Sequence, residues 1–294
     1  MRSWPALLLL AGAVAVPALA GGAACPNLHD PALLPALADV AAAARAGGVE
    51  VAPLGPLVLG SAAPETHACG GKIRPGAFLV INHAIGCTAN FVFTDLQGQL
   101  YIGTAGHCVP NLAWKDIEIA GTGIDFGDPV FLHNGLGDDV ALIRIDPAHH
   151  DLVEPTMCHW GGPASVPAQG TTGTPRPDVA GLQYGWGAVW NEHAETRARP
   201  GVLPPLVTTD TWEIALGSFT PGDSGSPLED AQGGALMIVT NSLLAPSPAP
   251  PLGLGLGIGT RVDHALDLAR AAGLDLRLVP GRVPVDLTGL TVPE

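Results

Sequence analysis

Gly222-Asp223-Ser224-Gly225-Ser226-Pro227 is the stretch from which the fold is read. A serine hydroxyl is a weak nucleophile at neutral pH. It needs a base beside it and donors that stabilise the oxyanion it creates. Glycines on either side of Ser224 let the backbone turn tightly, so two amide N–H groups can point at one oxygen. Upstream stands Thr104-Ala105-Gly106-His107-Cys108, and between the two lies Asp139-Val140-Ala141-Leu142-Ile143-Arg144-Ile145. Imidazole titrates near pH ~6.5, close to working pH, so a histidine is suited to take and return a proton.

The order His, Asp, Ser, with each residue in its own motif, resembles the chymotrypsin-like serine peptidase family, bacterial secreted members included. The resemblance spans roughly residues 75–275. It is supported by Tyr184-Gly185-Trp186-Gly187, similar to the strand that opens the family's second barrel, and by Gly259-Thr260-Arg261-Val262 before a helix. It implies that Ser224 is the nucleophile and His107 the general base. It implies that Asp139 holds the imidazole tautomer, Asp138 being a solvated turn residue. The backbone N–H groups of Gly222 and Ser224 would form the oxyanion hole; Pro221, which has no N–H, is not one of the two donors. It pairs Cys87 with Cys108, a closure that contributes about 3 kcal/mol in the chain-entropy model.

The resemblance also sets the specificity pocket. Ser218 falls at its base, and Thr240 and Asn241 on one wall, where they leave some polarity. Serine offers no counter-charge to Lys or Arg, whose unpaired burial is costly, so cleavage after uncharged, apolar residues is expected, with a Glu-preferring pocket as the alternative. No Ile-Val-Gly-Gly activation site is present. Asp223 then needs another partner if buried, and Arg74 or Arg261 could serve. Cleavage after Lys72 would free Ile73, but too close to Cys87. Of the other cysteines, the resemblance favours the pair Cys69–Cys158, with Cys25 unpaired; a lipidated Cys25 is the other reading.

Rival chemistries fit less well. A Gly-x-Ser-x-Gly nucleophile elbow needs Gly where Ser226 stands, and the order Ser, Asp, His. His149, His150 and His159 make no i, i+4 pair with an intervening Glu, so no metal site emerges, and the mechanism calls for no cofactor. The non-enzymatic alternatives are a binding protein on the same fold and a surface-anchored protein in which the N-terminal arm matters most.

Composition frames this reading. Residues 1–20 run from Met1-Arg2 through an apolar Ala6–Val16 to Ala18-Leu19-Ala20, the pattern of a cleaved signal peptide, and so of a secreted, extracellular protein. Residues 21–66 form an N-terminal extension or propeptide: Ala/Leu-rich to Gly47, then broken by Pro and Gly. Thirteen basic against 27 acidic residues give a formal charge of −14, which argues against nucleic acid or an anionic membrane as partner. The expected partner is a polypeptide substrate, and the mature chain is expected to be a monomer away from the membrane. From 67 to 294 the chain should form one peptidase domain. Short strand-like runs at Ala77–Ile81, Asn90–Thr94, Leu100–Ile102, Pro129–Leu132, Val140–Ile145, Gly181–Trp190, Thr211–Leu216, Ala235–Thr240 and Leu254–Val262, then a helix at Asp263–Ala272, predict an all-β fold. Its expected form is two antiparallel six-stranded β-barrels with a C-terminal helix.

Overall fold

The computed structural model describes residues 71–157, 160–167, 181–185, 197–201, 207–217, 219, 222–242 and 255–285. The expected signal peptide, the 21–66 extension, Ser218, Trp186 and the three cysteines Cys25, Cys69 and Cys158 lie outside the described residues. In chain order the elements are β1 (Phe78–Ile81), β2 (Ile85–Thr88), β3 (Val92–Thr94), β4 (Leu100–Thr104), β5 (Ile117–Ile119), β6 (Gly127–His133), β7 (Val140–Ile145), β8 (Gly181–Gly185), β9 (Arg197–Gly201), β10 (Val207–Thr208), β11 (Trp212–Gly217), β12 (Pro227–Asp230), β13 (Ala235–Ser242), β14 (Gly255–Arg261), α1 (Val262–Ala271) and β15 (Arg277–Leu278).

Among the described residues the strands form three antiparallel sheets rather than two closed barrels. Their orders are β2-β1-β5, β15-β3-β4-β7-β6 and β10-β11-β14-β13-β12-β8-β9. The N-terminal half divides because its ladder is diverted where β2 should run into β3. There the Ala89 N–H donates to the Ala77 carbonyl beside β1 and the Asn90 N–H to that of Gly103 on β4, so the chain changes partner strand. β6 carries Pro129, which cannot donate to a ladder, and its register with β7 shifts between Pro129 and Phe131.

One core nevertheless runs through both N-terminal sheets, with Leu79, Ile81 and Ile117 packed against Val92, Ile102 and Ile143. A second core joins the two halves. Phe91, Phe131 and Leu142 come from the N-terminal side, Ala235 and Ile238 from β13. Helix α1 closes it with Val262, Ala265 and Ala269, spaced three and four residues apart and so on one face.

The disulfide between Cys87 on β2 and Cys108 beside His107 is formed, with 6.3 Å between Cα atoms across 21 residues of sequence. Replacing both cysteines by serine should cost about 3 kcal/mol and lower the melting temperature by roughly 10 °C. Thermal unfolding of the double variant checks this; an unchanged melting temperature contradicts it.

Candidate active site

His107 lies in a short 3-10 turn, Gly106–Cys108, that follows β4. Asp139 stands immediately before β7, its residue only 3% exposed. Its carboxylate grips the histidine at two points. Oδ1 accepts the His107 backbone N–H at 2.8 Å, and Oδ2 lies 2.7 Å from the ring Nδ1. A carboxylate only accepts, so Nδ1 carries the proton and Nε2 is left as the basic nitrogen. The backbone of Asp139 is fixed in turn by Thr260 on β14. The Asp139 N–H donates to Thr260 Oγ1 at 3.1 Å, and that hydroxyl lies 3.3 Å from the Asp139 carbonyl. Asp138 points elsewhere. It is partly exposed, as expected of a turn residue, but its carboxylate pairs with Nε2 of His264 on α1 at 2.7 Å.

Ser224 is held against the N-terminal half by one residue. Thr88 at the end of β2 donates its N–H to the Ser224 carbonyl at 2.8 Å and its hydroxyl to the Gly222 carbonyl at 2.8 Å. Thr104 on β4 then donates its hydroxyl to the Thr88 carbonyl at 2.8 Å. Gly225 fits under this clasp only because it lacks a side chain. Its φ is +91°, and a Cβ there would stand 2.1 Å from the Thr88 carbonyl oxygen. Among the described residues no acceptor occupies the N–H groups of Gly222 or Ser224. The Ser224 hydroxyl donates to the Thr240 carbonyl at 3.3 Å, and no hydrogen bond joins it to His107.

The expected pocket is only partly visible. Ser218 lies outside the described residues. Thr240 is buried, and its hydroxyl donates to the Ile258 carbonyl at 3.1 Å, so it adds no free polarity to a wall; Asn241 is exposed. Sequence reasoning missed Phe219, which is fully buried with Ala215, Leu228 and Val239 and lies five residues before Ser224. Asp223 is buried. Of its two expected partners, Arg261 grips Asp263 and donates to the Thr209 carbonyl at 2.7 Å, while Arg74 donates to the Thr156 carbonyl at 3.1 and 2.7 Å. Ile73 is buried mid-chain, its N–H donating to the Leu152 carbonyl. Cys87, His107 and Cys108 have ligand-type atoms within 4.8 Å of one another, but both sulfurs are consumed by the disulfide. A second such group, His83, Asp116 and Glu118, sits toward the surface and was not singled out from sequence.

No protein-family model matches the sequence, and no curated protein matches it. Solved structures do. Protease A of Thermobifida fusca superposes with a TM-score of 0.50 at 17% identity, over 71% of this chain and 100% of that one. A glutamic-acid-specific serine protease that uses a histidine triad in substrate binding gives 0.49 at 18% identity, over 70% and 100%. The Nocardiopsis protease gives 0.45 at 18%, over 70% and 98%. The chain has a chymotrypsin-like fold.

Gly225→Ala should destabilise the protein by several kcal/mol, on the order of 3, because both its backbone conformation and the Thr88 contact exclude a methyl group. Denaturant unfolding checks this, and a midpoint equal to that of the parent contradicts it.

Proposed function

We propose that this chain is a secreted serine endopeptidase that hydrolyses peptide bonds through an acyl-enzyme on Ser224. The observation that carries the reading is the two-point grip of buried Asp139 on His107. That grip sets the tautomer a general base requires.

In this mechanism Ser224 Oγ attacks the scissile carbonyl carbon as its proton passes to Nε2 of His107. The hydroxyl first turns away from the Thr240 carbonyl, a rotation about one side-chain bond; such contacts often tighten only when substrate is bound. The oxyanion is stabilised by the N–H groups of Gly222 and Ser224, which hold no competing acceptor among the described residues. The imidazolium then protonates the leaving amine. A water molecule, deprotonated by the same Nε2, attacks the acyl carbon, and the proton returns to Ser224 as the acid product leaves. No cofactor takes part.

The substrate is a polypeptide, cut after an uncharged and preferably apolar residue. Ser218 supplies no charge for Lys or Arg, and the buried Phe219 beside it is apolar. An extracellular location accords with the Cys87–Cys108 bond, since such bonds persist in oxidising compartments. No helix among the described residues is long and apolar enough to cross a membrane.

Ser224→Ala should abolish labelling by a fluorophosphonate probe and lower peptidase activity by a factor of about 10⁴ to 10⁶ while the fold persists. Labelling of the alanine variant at the parental level, or a folded parent that never labels, would overturn the proposal. A peptide-library digest reads the specificity: the expected cuts follow uncharged residues, and dominant cleavage after Arg or Lys contradicts the placement of Ser218.

A further inference from the structure

Glu229 plays no part in the proposed chemistry, yet it is the least comfortable side chain among the described residues. It sits on β12, three residues after Ser226, with no exposed surface. Among the described residues neither carboxyl oxygen has a hydrogen-bond partner. In the antiparallel register Glu229 stands opposite Leu182 of β8, so its side chain shares a face with Leu182 and Tyr184 and enters the small apolar cluster they form with Met157 and Trp160. An ionised carboxylate in such a place would cost several kcal/mol, whereas a neutral acid costs far less.

Two segments lie over it. Residues 160–167 and 281–285 are laced together: the Gly162 N–H donates to the Val283 carbonyl at 2.9 Å and the Gly281 N–H to that of Pro163 at 2.7 Å. This double strap is tied down beyond Glu229, where the Ala164 N–H donates to the Gly233 carbonyl at 2.6 Å and the Ala235 N–H to that of Ser165 at 2.7 Å. Gly162 presses on the carboxyl itself. Its φ is +65°, and a Cβ there would stand 2.3 Å from Oε2 of Glu229. That contact leaves no room for a water molecule to solvate a charge from that side.

We propose that the strap formed by residues 160–167 and 281–285 is a pH-sensitive closure, seated over β12 while Glu229 is neutral and released as Glu229 ionises. Among the described residues the groups facing Glu229 offer no relief. On its own strand Asp230 is acidic, and its Oδ1 is already bonded to the N–H groups of Gln232 and Gly234. On β8 the one ionisable residue is Tyr184, whose hydroxyl is itself buried without a partner. β13 has no ionisable residue, nor do residues 160–167. Arg282 in the second strap segment is exposed and pairs outward with Glu154 at 3.2 Å. β9, on the far side of β8, carries Arg197 and Arg199.

Burial, and secondarily the charge of Asp230, push the Glu229 carboxyl up to about 9 from the ordinary 4.5. The sign follows from linkage. The folded state keeps the proton through a range in which the unfolded chain releases it. Stability from this group is therefore complete below pH 4.5, falls as pH rises between 4.5 and about 9, and is level above that. The release point is close to the nucleophile. β12 begins directly after Ser226, whose Oγ accepts from Gln183 Nε2 on β8 at 3.0 Å.

Thermal unfolding of the full chain at pH 5 and pH 8, parent against Glu229→Gln, tests this without reference to peptidase activity. The melting temperature of the variant should gain on that of the parent by on the order of 10 °C between the two pH values. Glu229→Met, which leaves no unpaired amide, should behave the same way. A parent–variant gap that is constant with pH overturns the proposal. In the parent alone, hydrogen exchange at the Gly162, Ala164 and Ala235 amides should lose protection from pH 5 to pH 8 relative to amides of β4. Equal protection ratios at the two pH values overturn it equally.

Discussion

A nearly buried carboxylate must be surrounded by donors, and Asp139 obtains them only where the two halves of the chain meet. The His107 N–H and ring come from the turn after β4, and the Thr260 hydroxyl from β14. Removing either side would leave a charge or a peptide group unpaired in a place water scarcely reaches, at a cost of several kcal/mol. The requirement acts as a docking condition. The N-terminal sheets and the seven-stranded sheet satisfy Asp139 in one relative placement, and the core under α1, built from Phe91, Phe131, Ile238 and Ala265, supplies the apolar burial that holds them there.

Thr88 answers the same demand from the other side. Its N–H and hydroxyl take up the carbonyls of Ser224 and Gly222, fixing the loop that carries the serine to β2, which the Cys87–Cys108 bond ties to the histidine turn. The serine and the histidine are thus referenced to a single strand end. Just beyond Thr88 the chain changes partner strand, the Ala89 N–H donating to Ala77 beside β1 and the Asn90 N–H to Gly103 on β4, so β2 does not run on into β3 and the N-terminal half divides into two sheets around one core.

Much of this was legible in the residues. The apolar run Val140–Ile145 reads as a strand and is β7, and Asp263–Ala272 reads as the closing helix found at Val262–Ala271. The order of His107, Asp139 and Ser224, each beside its small or cysteine neighbours, pointed to the fold that the solved structures share. What escaped was set by partners far away in sequence. β5 and β12 are three and four residues long and carry Glu118, Glu229 and Asp230, so no local pattern marks them as strands. The anchor of the serine loop depends on Thr88 meeting Ser224, 136 positions later by their numbers. Thr240 could have faced a pocket, and only its bond to the Ile258 carbonyl shows that its hydroxyl is spent inside. Phe219 and Glu229 look ordinary in sequence; their burial makes them notable.

The account turns on Asp139, rather than its neighbour Asp138, as the group that holds His107. The rate at which a fluorophosphonate probe labels Ser224 in Asp139→Asn and Asp138→Asn measures this directly. Asp139→Asn should slow labelling by on the order of 10⁴, because an amide at that position favours the wrong imidazole tautomer. Asp138→Asn should label at the parental rate, since that carboxylate faces His264 on the outer side. Parental labelling in Asp139→Asn, or loss of labelling confined to Asp138→Asn, would contradict the account.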